Sequence, residues 1–253
     1  MVTTEARVAV FAEVEHLWRL HREEADCQIV RHSILPRGLA QPFALEVDGQ
    51  LVGYAGVWIE HFPGRVMEFY ISPPARAHLD RCFGELLRAS GASAIEAQTN
   101  MPLPHGVLRR FATELRAENV LFGEPAGGGE DRSDLSGSDV RLRRRQPKDE
   151  GPSGEWVLVR DCDGVVVGSG GFLQHYNPPY CDLFMEVAAE HRGRGYGSYL
   201  VRELRRVTRE AGLRPAARCD IGNEASRRTL IRGGLVECGR ILAGQVHRDA
   251  RIR

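Results

Sequence analysis

The sequence lacks any long apolar run. No hydrophobic stretch reaches the roughly 18 residues that a membrane-spanning helix needs, so a membrane partner is not expected. The first residues contain Glu5 and Glu13 within their apolar stretch, which is not the pattern of a signal peptide. We therefore expect a cytoplasmic protein.

Paired cysteines are also absent. The six cysteines lie far apart, with no Cys-x-x-Cys pair and no cysteine and histidine spacing typical of a zinc site, so no metal is expected. The composition of the 253 residues, 42% hydrophobic and 27% charged, is ordinary for a folded protein and excludes a wholly disordered chain.

An excess of one charge is lacking too, because 34 basic residues balance 34 acidic ones. Lys148 is the one lysine, and the other basic residues are arginines. Residues 201–253 hold thirteen arginines against six acidic residues, and such a patch can face nucleic acid or a small polyphosphate ligand. Acidic residues are mixed among these arginines without an aromatic platform, so nucleic acid is the less favoured partner.

The chain repeats one plan on either side of a segment rich in glycine, serine and acidic residues. That segment, residues 124–139, cannot bury apolar area and is predicted to be a flexible linker. In each half an Asp-Gly dipeptide, typical of a hairpin turn, joins two strands, at Asp48-Gly49 and at Asp163-Gly164. A third strand follows, VMEFYI in one half and DLFMEV in the other, and then an amphipathic helix.

A fourth strand ends each repeat at an asparagine, Asn100 or Asn223, a natural N-cap for the next helix. The first half also begins with a long amphipathic helix for which the second half has too few residues. We predict an α/β (α+β) protein of two units, residues 1–123 and 140–253, each with a mixed, mostly antiparallel central sheet flanked by helices. One half is expected to complete the core of the other.

The loop after DLFMEV is rich in glycine and arginine. Gly193, Gly195 and Gly197 lead directly into a helix, so backbone N–H groups can converge on a ligand beside the positive end of the helix dipole. Arg192 and Arg194 add positive charge, and the combination suits a pyrophosphate. The loop has no lysine, which excludes a P-loop, and it lacks the last glycine of a dinucleotide fingerprint.

Arg192, Gly195 and Gly197 match the pattern [QR]-x-x-G-x-[GA], and here the sequence resembles the GCN5-related N-acetyltransferases, the GNAT superfamily. The resemblance covers residues 156–242, and residues 43–122 look like a degenerate second copy. It implies acetyl-CoA as the acyl donor, bound once per chain in the second half. The equivalent loop of the first half, ISPPARAHLD, has two prolines and no glycine.

The resemblance also implies which residues bind the donor. The strand that ends at Val187 is expected to splay from its neighbour and bind the pantetheine arm, while the loop binds the pyrophosphate. The implied cofactor-binding residues are Met185, Val187, Arg192, Gly193, Arg194, Gly195, Tyr196, Gly197, Ser198 and Asn223.

The implied reaction is direct attack of a primary amine on the thioester of acetyl-CoA, which needs a group that accepts the amine proton. Glu186, on the strand before the loop, is the first candidate for this base, and Asp182 is the fallback. Glu68 is the near counterpart of Glu186 in the first half.

Many family members place a tyrosine seven residues after the asparagine, where it protonates the departing thiolate. Here that position is Leu230. Tyr180 is the candidate to replace it, with Tyr176, Cys219 or water as alternatives.

The acceptor, a small-molecule or peptide amine, has no signature in the sequence, and neither has the oligomeric state. The leucine at position 230 favours an alternative function, a catalytically weak acyl-CoA-binding sensor or regulatory protein.

Overall fold

The computed structural model describes residues 2–25, 32–127 and 139–247. The predicted flexible linker lies mostly outside these residues, because 128–138 are not among them. No helix in the described ranges is both long enough and apolar enough to cross a membrane.

The chain divides into two compact units. Unit 1 comprises Met1–Glu118 and Gly239–Arg253, and unit 2 comprises Asn119–Cys238. This division differs from the predicted boundaries 1–123 and 140–253, chiefly because the end of the chain belongs to unit 1. The physical reason is backbone pairing, since the last strand is hydrogen-bonded within the sheet of unit 1.

In the first half of the chain the described residues form three helices and a 3-10 turn among the strands. In chain order the elements are β1 (Thr4–Val8), α1 (Phe11–Glu24), β2 (Ala40–Val47), β3 (Gln50–Trp58), β4 (Arg65–Ile71), the 3-10 turn Pro73–His78, α2 (Leu79–Ser90), β5 (Ala94–Gln98), α3 (Pro102–Phe111) and β6 (Ala112–Gly123).

Between residues 139 and 247 the second half has two helices and a shorter 3-10 turn. Its elements are β7 (Val140–Arg144), β8 (Trp156–Arg160), β9 (Val166–Leu173), β10 (Tyr180–Val187), the 3-10 turn Ala189–His191, α4 (Tyr196–Glu210), β11 (Arg214–Asp220), α5 (Glu224–Arg232) and β12 (Val236–Val246).

Both units have mixed, mostly antiparallel sheets, as the sequence predicts. In unit 1 the described strands pair in the order β1-β2-β3-β4-β5-β12, where β4 and β5 are parallel and the other neighbours are antiparallel. In unit 2 the order of the described strands is β6-β11-β10-β9-β8-β7, where β10 and β11 are parallel and the other neighbours are antiparallel.

The last strand of each half of the chain joins the sheet that is formed mainly by the other half. Residues 241–245 of β12, which follows the elements of unit 2 in the chain, pair with 94–98 in unit 1. Residues 119–122 of β6, which follows the elements of unit 1, pair with 217–220 in unit 2. Each sheet therefore depends on residues from both halves of the chain.

Local sequence signals explain the hairpin between β2 and β3. Val47 pairs with Gln50, so the turn has two residues, and both have positive φ, 49° at Asp48 and 74° at Gly49. These values are those of the twisted turns that Asp-Gly favours. The predicted turn is confirmed.

The two sheets differ in what covers them. In unit 1 both faces are buried, one under α2 and α3, where Phe69 packs on Phe83, and the other under α1, where Leu17 lies in a cluster with Tyr54. In unit 2 the helix α4 buries Leu204 and its neighbours against one face. On the other face Phe184 of β10 remains 38% exposed.

Candidate functional site

Strands β10 and β11 of unit 2 are paired at one end only. The parallel register joins residues 180–182 to 214–216, and β10 then continues to Val187 without further pairing to β11. On its other side β10 stays paired with β9 as far as Val187. The backbone polar groups of β10 that face β11 beyond Asp182 therefore lack ladder partners and are available to a ligand. This geometry matches the splay that the resemblance implies.

The chain leaves this splay through the glycine loop at the start of α4. Gly193 and Gly195 have φ values of 76° and 86°, in the left-handed region that favours glycine, and Gly195 is the N-cap of α4. No side chain caps this helix, so the backbone N–H groups of Tyr196, Gly197 and Ser198 have no side-chain acceptor within the described chain. Together with the helix dipole, they form a site suited to phosphate oxygens.

Gly197 has a packing role as well. A Cβ atom at this position would lie 3.0 Å from Cγ2 of Thr229 and 3.6 Å from Cγ2 of Val187. A larger residue would push the start of α4 away from β10 and α5, so the glycine keeps the loop close to the splayed strand.

The two arginines of the loop are exposed and bonded to backbone only. Nε of Arg192 donates to the carbonyl of Val187 at 3.1 Å, and Nη2 of Arg194 donates to the carbonyl of Glu190 at 3.5 Å. Among the described residues neither guanidinium pairs with a carboxylate, so both positive charges are available to an anion.

Several predicted donor-binding residues turn their side chains inward. Tyr196 is 8% exposed, and its hydroxyl donates to Oδ2 of Asp139 at 2.9 Å, which raises the pKa of the phenol. Ser198 is buried, while Met185 and Val187 pack against the core of unit 2. These four residues can contact a ligand mainly through their backbone.

Asn223 caps α5, as the sequence predicts. Its Oδ1 accepts a hydrogen bond from the N–H of Ser226 at 3.0 Å, and the residue is exposed. The corresponding prediction for Asn100 is wrong, because the N-cap of α3 is Met101 and no side chain caps that helix.

Glu186 lies on the open face of β10, on the same side as Phe184, because side chains alternate along a strand. It is exposed and makes no hydrogen bond or ion pair with other described residues. Asp182 lies on the same face but is 7% exposed, with Oδ2 3.3 Å from Nε2 of His175 and 3.4 Å from Nε of Arg218. Of the two carboxylates, only Glu186 is free to accept a proton from a ligand.

The structure does not bring Tyr180 to the glycine loop. Tyr180 is paired with Arg214 at the closed end of the splay, and about 23 Å of strand separates it from Val187. Leu230 and Tyr176 are both buried, with exposures of 4% and 0%. Cys219 is buried in the core of unit 2 as well, and burial raises the pKa of its thiol.

Unit 1 repeats the splay without the glycine loop. Strands β4 and β5 pair in parallel only at Arg65 and Val66, and β4 then continues to Ile71. The 3-10 turn that follows begins with Pro73 and Pro74, which have no backbone N–H to offer an anion. As predicted, the loop of unit 1 therefore offers fewer backbone N–H donors to an anion than the glycine loop of unit 2.

The pairing to the preceding hairpin strand corrects one expected correspondence. Gly53 pairs with Ile71 in unit 1, and the equivalent Gly168 pairs with Val187 in unit 2. Counted back from these two pairs, Tyr70 occupies the position of Glu186, and Glu68 occupies the position of Phe184. The expectation that Glu68 is the counterpart of Glu186 is wrong by two residues. The β-bulge in the β3–β4 ladder lies beyond the pair of Gly56 with Glu68, so it does not alter this correspondence.

Glu68 instead belongs to a buried charge network beneath α1. Its Oε1 accepts hydrogen bonds from Nη1 of Arg22 and, at 2.8 Å, from the hydroxyl of Tyr54, while Nδ1 of His21 lies 3.4 Å away. Burial by itself would raise the pKa of Glu68, but the charge of Arg22 and the hydrogen bond from His21 outweigh it and lower that pKa to about 2.

This network predicts how the protein responds to acid. Since the folded-state pKa of Glu68 lies below that of an unfolded glutamate, its contribution to stability is complete above about pH 5 and is lost as the pH falls towards 2. Glu68→Gln should cost about 3 kcal/mol at pH 7 and should flatten the loss of unfolding free energy between these pH values. Urea unfolding followed by circular dichroism at several pH values measures both effects.

Glu15→Gln is the matched control for this prediction, because Glu15 pairs with Arg19 at the exposed surface of α1. Its unfolding free energy should follow the wild type at every pH. An unchanged acid slope in Glu68→Gln would contradict the assignment.

Comparisons with known proteins agree with this geometry. Residues 129–232 match the family model described as the acetyltransferase (GNAT) family. The fold is similar to an acetyltransferase from the GNAT family of Colwellia psychrerythraea, with a TM-score of 0.74 and 14% identity over 98% of this chain and 100% of that one. No curated protein matches the sequence.

Two further solved structures have the same fold over nearly the whole chain. One is a GCN5-related N-acetyltransferase from Sphaerobacter thermophilus, with a TM-score of 0.56 and 13% identity over 96% of this chain and 95% of that one. The other is a tandem GNAT protein from the clavulanic acid biosynthesis pathway, with a TM-score of 0.53 and 13% identity over 96% and 98%. The tandem relative agrees with the two-unit plan of this chain.

Proposed function

We propose that this protein is an enzyme that transfers an acetyl group from acetyl-CoA to a primary amine, and the match of residues 129–232 to the acetyltransferase (GNAT) family model supports this proposal. The observation that carries the proposal is the uncapped N-terminus of α4 beside the splay of β10 and β11. The alternative, a sensor with weak catalysis, is not favoured by the match to an enzyme family.

Two parts of this site would contact two parts of acetyl-CoA, the pyrophosphate and the pantetheine arm. The N–H groups of residues 196–198, with Arg192 and Arg194, bind the pyrophosphate, since they are unpaired donors and free positive charges at a helix N-terminus. The backbone groups of β10 between Leu183 and Val187 that face away from β9 bind the pantetheine arm through hydrogen bonds of strand type. The donor supplies an acetyl thioester at this strand.

The chain's own groups then promote attack by the amine. Glu186 accepts the proton that the amine loses, directly or through one water, as the new C–N bond forms and the C–S bond breaks. A backbone N–H of β10 near Val187 donates to the thioester oxygen and stabilises the negative charge that develops there. Leu230 has no hydroxyl, so water protonates the departing thiolate.

Unit 1 has a different task in this proposal. Its splay lacks the glycine loop, and its two consecutive prolines remove the donors that a pyrophosphate needs. Unit 1 therefore does not bind a second acetyl-CoA, although the first half of the chain contributes residues 119–122 of β6 to the sheet of unit 2.

Calorimetric titration of the whole protein with acetyl-CoA tests this function. We expect about one molecule bound per chain, followed by release of free thiol when a panel of primary amines is added. Two molecules per chain would contradict the single site in unit 2. Binding without thiol release for any amine would contradict acetyl transfer and favour the sensor.

A further inference from the structure

Strand β1 forms one edge of the unit 1 sheet. It pairs with β2 on one side, and on its other side no strand of the described chain is bonded to it. Apolar side chains are exposed around this edge, with exposures of 41% at Val2, 61% at Val8 and 63% at Val10. An open edge with exposed apolar side chains favours pairing with a strand of another chain.

The register of β1 on β2 shows which backbone groups point out of the sheet. The carbonyl of Thr3 accepts a hydrogen bond from the N–H of Asp48 at 2.9 Å, and the N–H of Ala9 donates to the carbonyl of Pro42 at 3.0 Å. In an antiparallel ladder, residues bonded to the partner strand alternate with residues that are not. Because residues 3 and 9 are bonded to β2, the even positions of β1 point their N–H and C=O groups away from it. They are Thr4, Ala6 and Val8.

The sequence of β1, TEARV, is complementary to itself when two copies run antiparallel. With Ala6 opposite Ala6 of a second copy, the outward backbone groups of the two strands meet as hydrogen-bonded pairs. Glu5 then lies opposite Arg7 of the second copy, at a non-hydrogen-bonded pair, where facing side chains come closest. The same register places Val2 of one copy opposite Val10 of the other.

The charged side chains of β1 are available for this contact. Glu5 is exposed and has no hydrogen bond or ion pair with other described residues. Arg7 is paired with Glu13 through Nη1 at 2.8 Å and with Glu46 through Nε at 3.0 Å. Its longer contact with the carbonyl of Val8, at 3.5 Å, also uses Nη1. Within the described chain the Nη2 group is therefore left to donate to one more carboxylate.

The edge strand of unit 2, β7, lacks this complementarity. Its sequence is VRLRR. If two copies of β7 paired antiparallel about Leu142, Arg141 would lie opposite Arg143, and no opposite-charge contact would form across the pair. The opposite charges at alternate positions of β1 thus favour a second copy of β1 as the partner of that edge.

We propose that this protein forms a symmetric dimer in which the β1 strands of two copies pair antiparallel about Ala6. A two-fold interface uses the same surface patch on both copies, and a strand complementary to itself meets that requirement. The pairing continues the unit 1 sheet into the second copy and pairs Glu5 with Arg7 on both sides of the axis. It goes beyond acetyl transfer, because β1 belongs to unit 1 and the glycine loop belongs to unit 2.

Analytical ultracentrifugation of the whole protein over a range of concentrations tests this proposal. We expect a reversible dimer with a dissociation constant on the order of micromolar, because one pair of short strands makes a small interface. Hydrogen exchange measured by mass spectrometry should show that the amides of residues 2–10 become protected as the concentration rises. A dimer that leaves the exchange of these residues unchanged would place the interface elsewhere and overturn the proposal.

Charge variants test the register. In Glu5→Arg, and separately in Arg7→Glu, the facing residues carry like charges, so each variant alone should dimerise about tenfold or more weakly than the wild type. An equimolar mixture of the two variants places opposite charges at these positions and should dimerise about tenfold more tightly than either variant alone. Glu15→Arg makes the same charge change on the exposed surface of α1 and should dimerise as the wild type does.

Ala6→Pro tests the backbone pairing. It removes the N–H at the centre of the interface and leaves the bonds between β1 and β2 intact, because that N–H points out of the sheet, where proline is tolerated. The variant should be a folded monomer.

The proposal would also be overturned by a wild type that stays monomeric up to about 1 mM, or by Ala6→Pro with wild-type dimer affinity. A mixture of the charge variants that dimerises no more tightly than each alone would contradict the register. Thermal melting shows whether each variant is folded, and Glu5→Arg and Ala6→Pro decide the test if Arg7→Glu does not fold.

Discussion

Gly195→Glu is expected to weaken acetyl-CoA binding by about a hundredfold or more. The φ of Gly195 is 86°, a conformation that costs a side-chain-bearing residue about 1–2 kcal/mol, and relief of this strain would rotate the N–H groups of the loop. The new carboxylate would also lie beside those N–H groups and repel the pyrophosphate. No atom lies within 4 Å of the Cβ position, so the variant has room to fold.

Gly212→Glu is a closely matched control for this change. Gly212 follows the other end of α4, has a φ of 74°, and also has no atom within 4 Å of its Cβ position. Calorimetric titration of both variants, with thermal melting as a check of folding, should show binding lost only in Gly195→Glu. Wild-type affinity in Gly195→Glu would show that acetyl-CoA does not bind at this loop. An equal loss of affinity in both variants would show that backbone strain alone causes the loss.

Glu186→Gln is expected to lower kcat by a factor of about 10² to 10⁴, the usual contribution of a positioned general base. The affinity for acetyl-CoA should stay unchanged, because the side chain lies on the open face of β10 and makes no contact with the glycine loop among the described residues. Steady-state kinetics, beside calorimetry for the donor, separates the effect on kcat from the effect on donor affinity.

Glu190→Gln is the control for this experiment. Glu190 is exposed, it lies four residues further along the chain, and only its backbone carbonyl contacts the loop, through Arg194. It should have a wild-type kcat. A Glu186→Gln enzyme that retains full kcat, or one that loses kcat and donor affinity together, would contradict the role of Glu186 as the base.

Signals local in sequence predicted most of the elements and the donor loop. The Asp48-Gly49 turn and the glycines at 193 and 195 are residue types that favour a backbone with positive φ. The structure has positive φ at each of these positions. The capping role of Asn223 is equally local, because donor and acceptor are three residues apart.

Features that depend on pairing between residues distant in sequence could not be predicted from local patterns. The pairing of Gly56 with Glu68 and of Ser169 with Glu186 places the two glutamates two positions apart, although each lies in the third strand of its repeat. The remoteness of Tyr180 from the loop follows from the point at which β10 and β11 part, which depends on the whole sheet. Unit 1 also contains a cavity lined by His21 of α1, Tyr70 of β4 and Leu103 of α3, and no single stretch of sequence indicates it.

The placement of β12 in the sheet of unit 1 has a consequence for protein synthesis. The ribosome makes β5 long before β12, so one edge of the unit 1 sheet stays open while all of unit 2 is being translated. An open strand edge is a template for pairing with other chains, and nascent proteins with such edges are prone to aggregate. Cells that overproduce this protein should therefore gain soluble yield from slower translation or from chaperones that shield β5 until the final strand emerges.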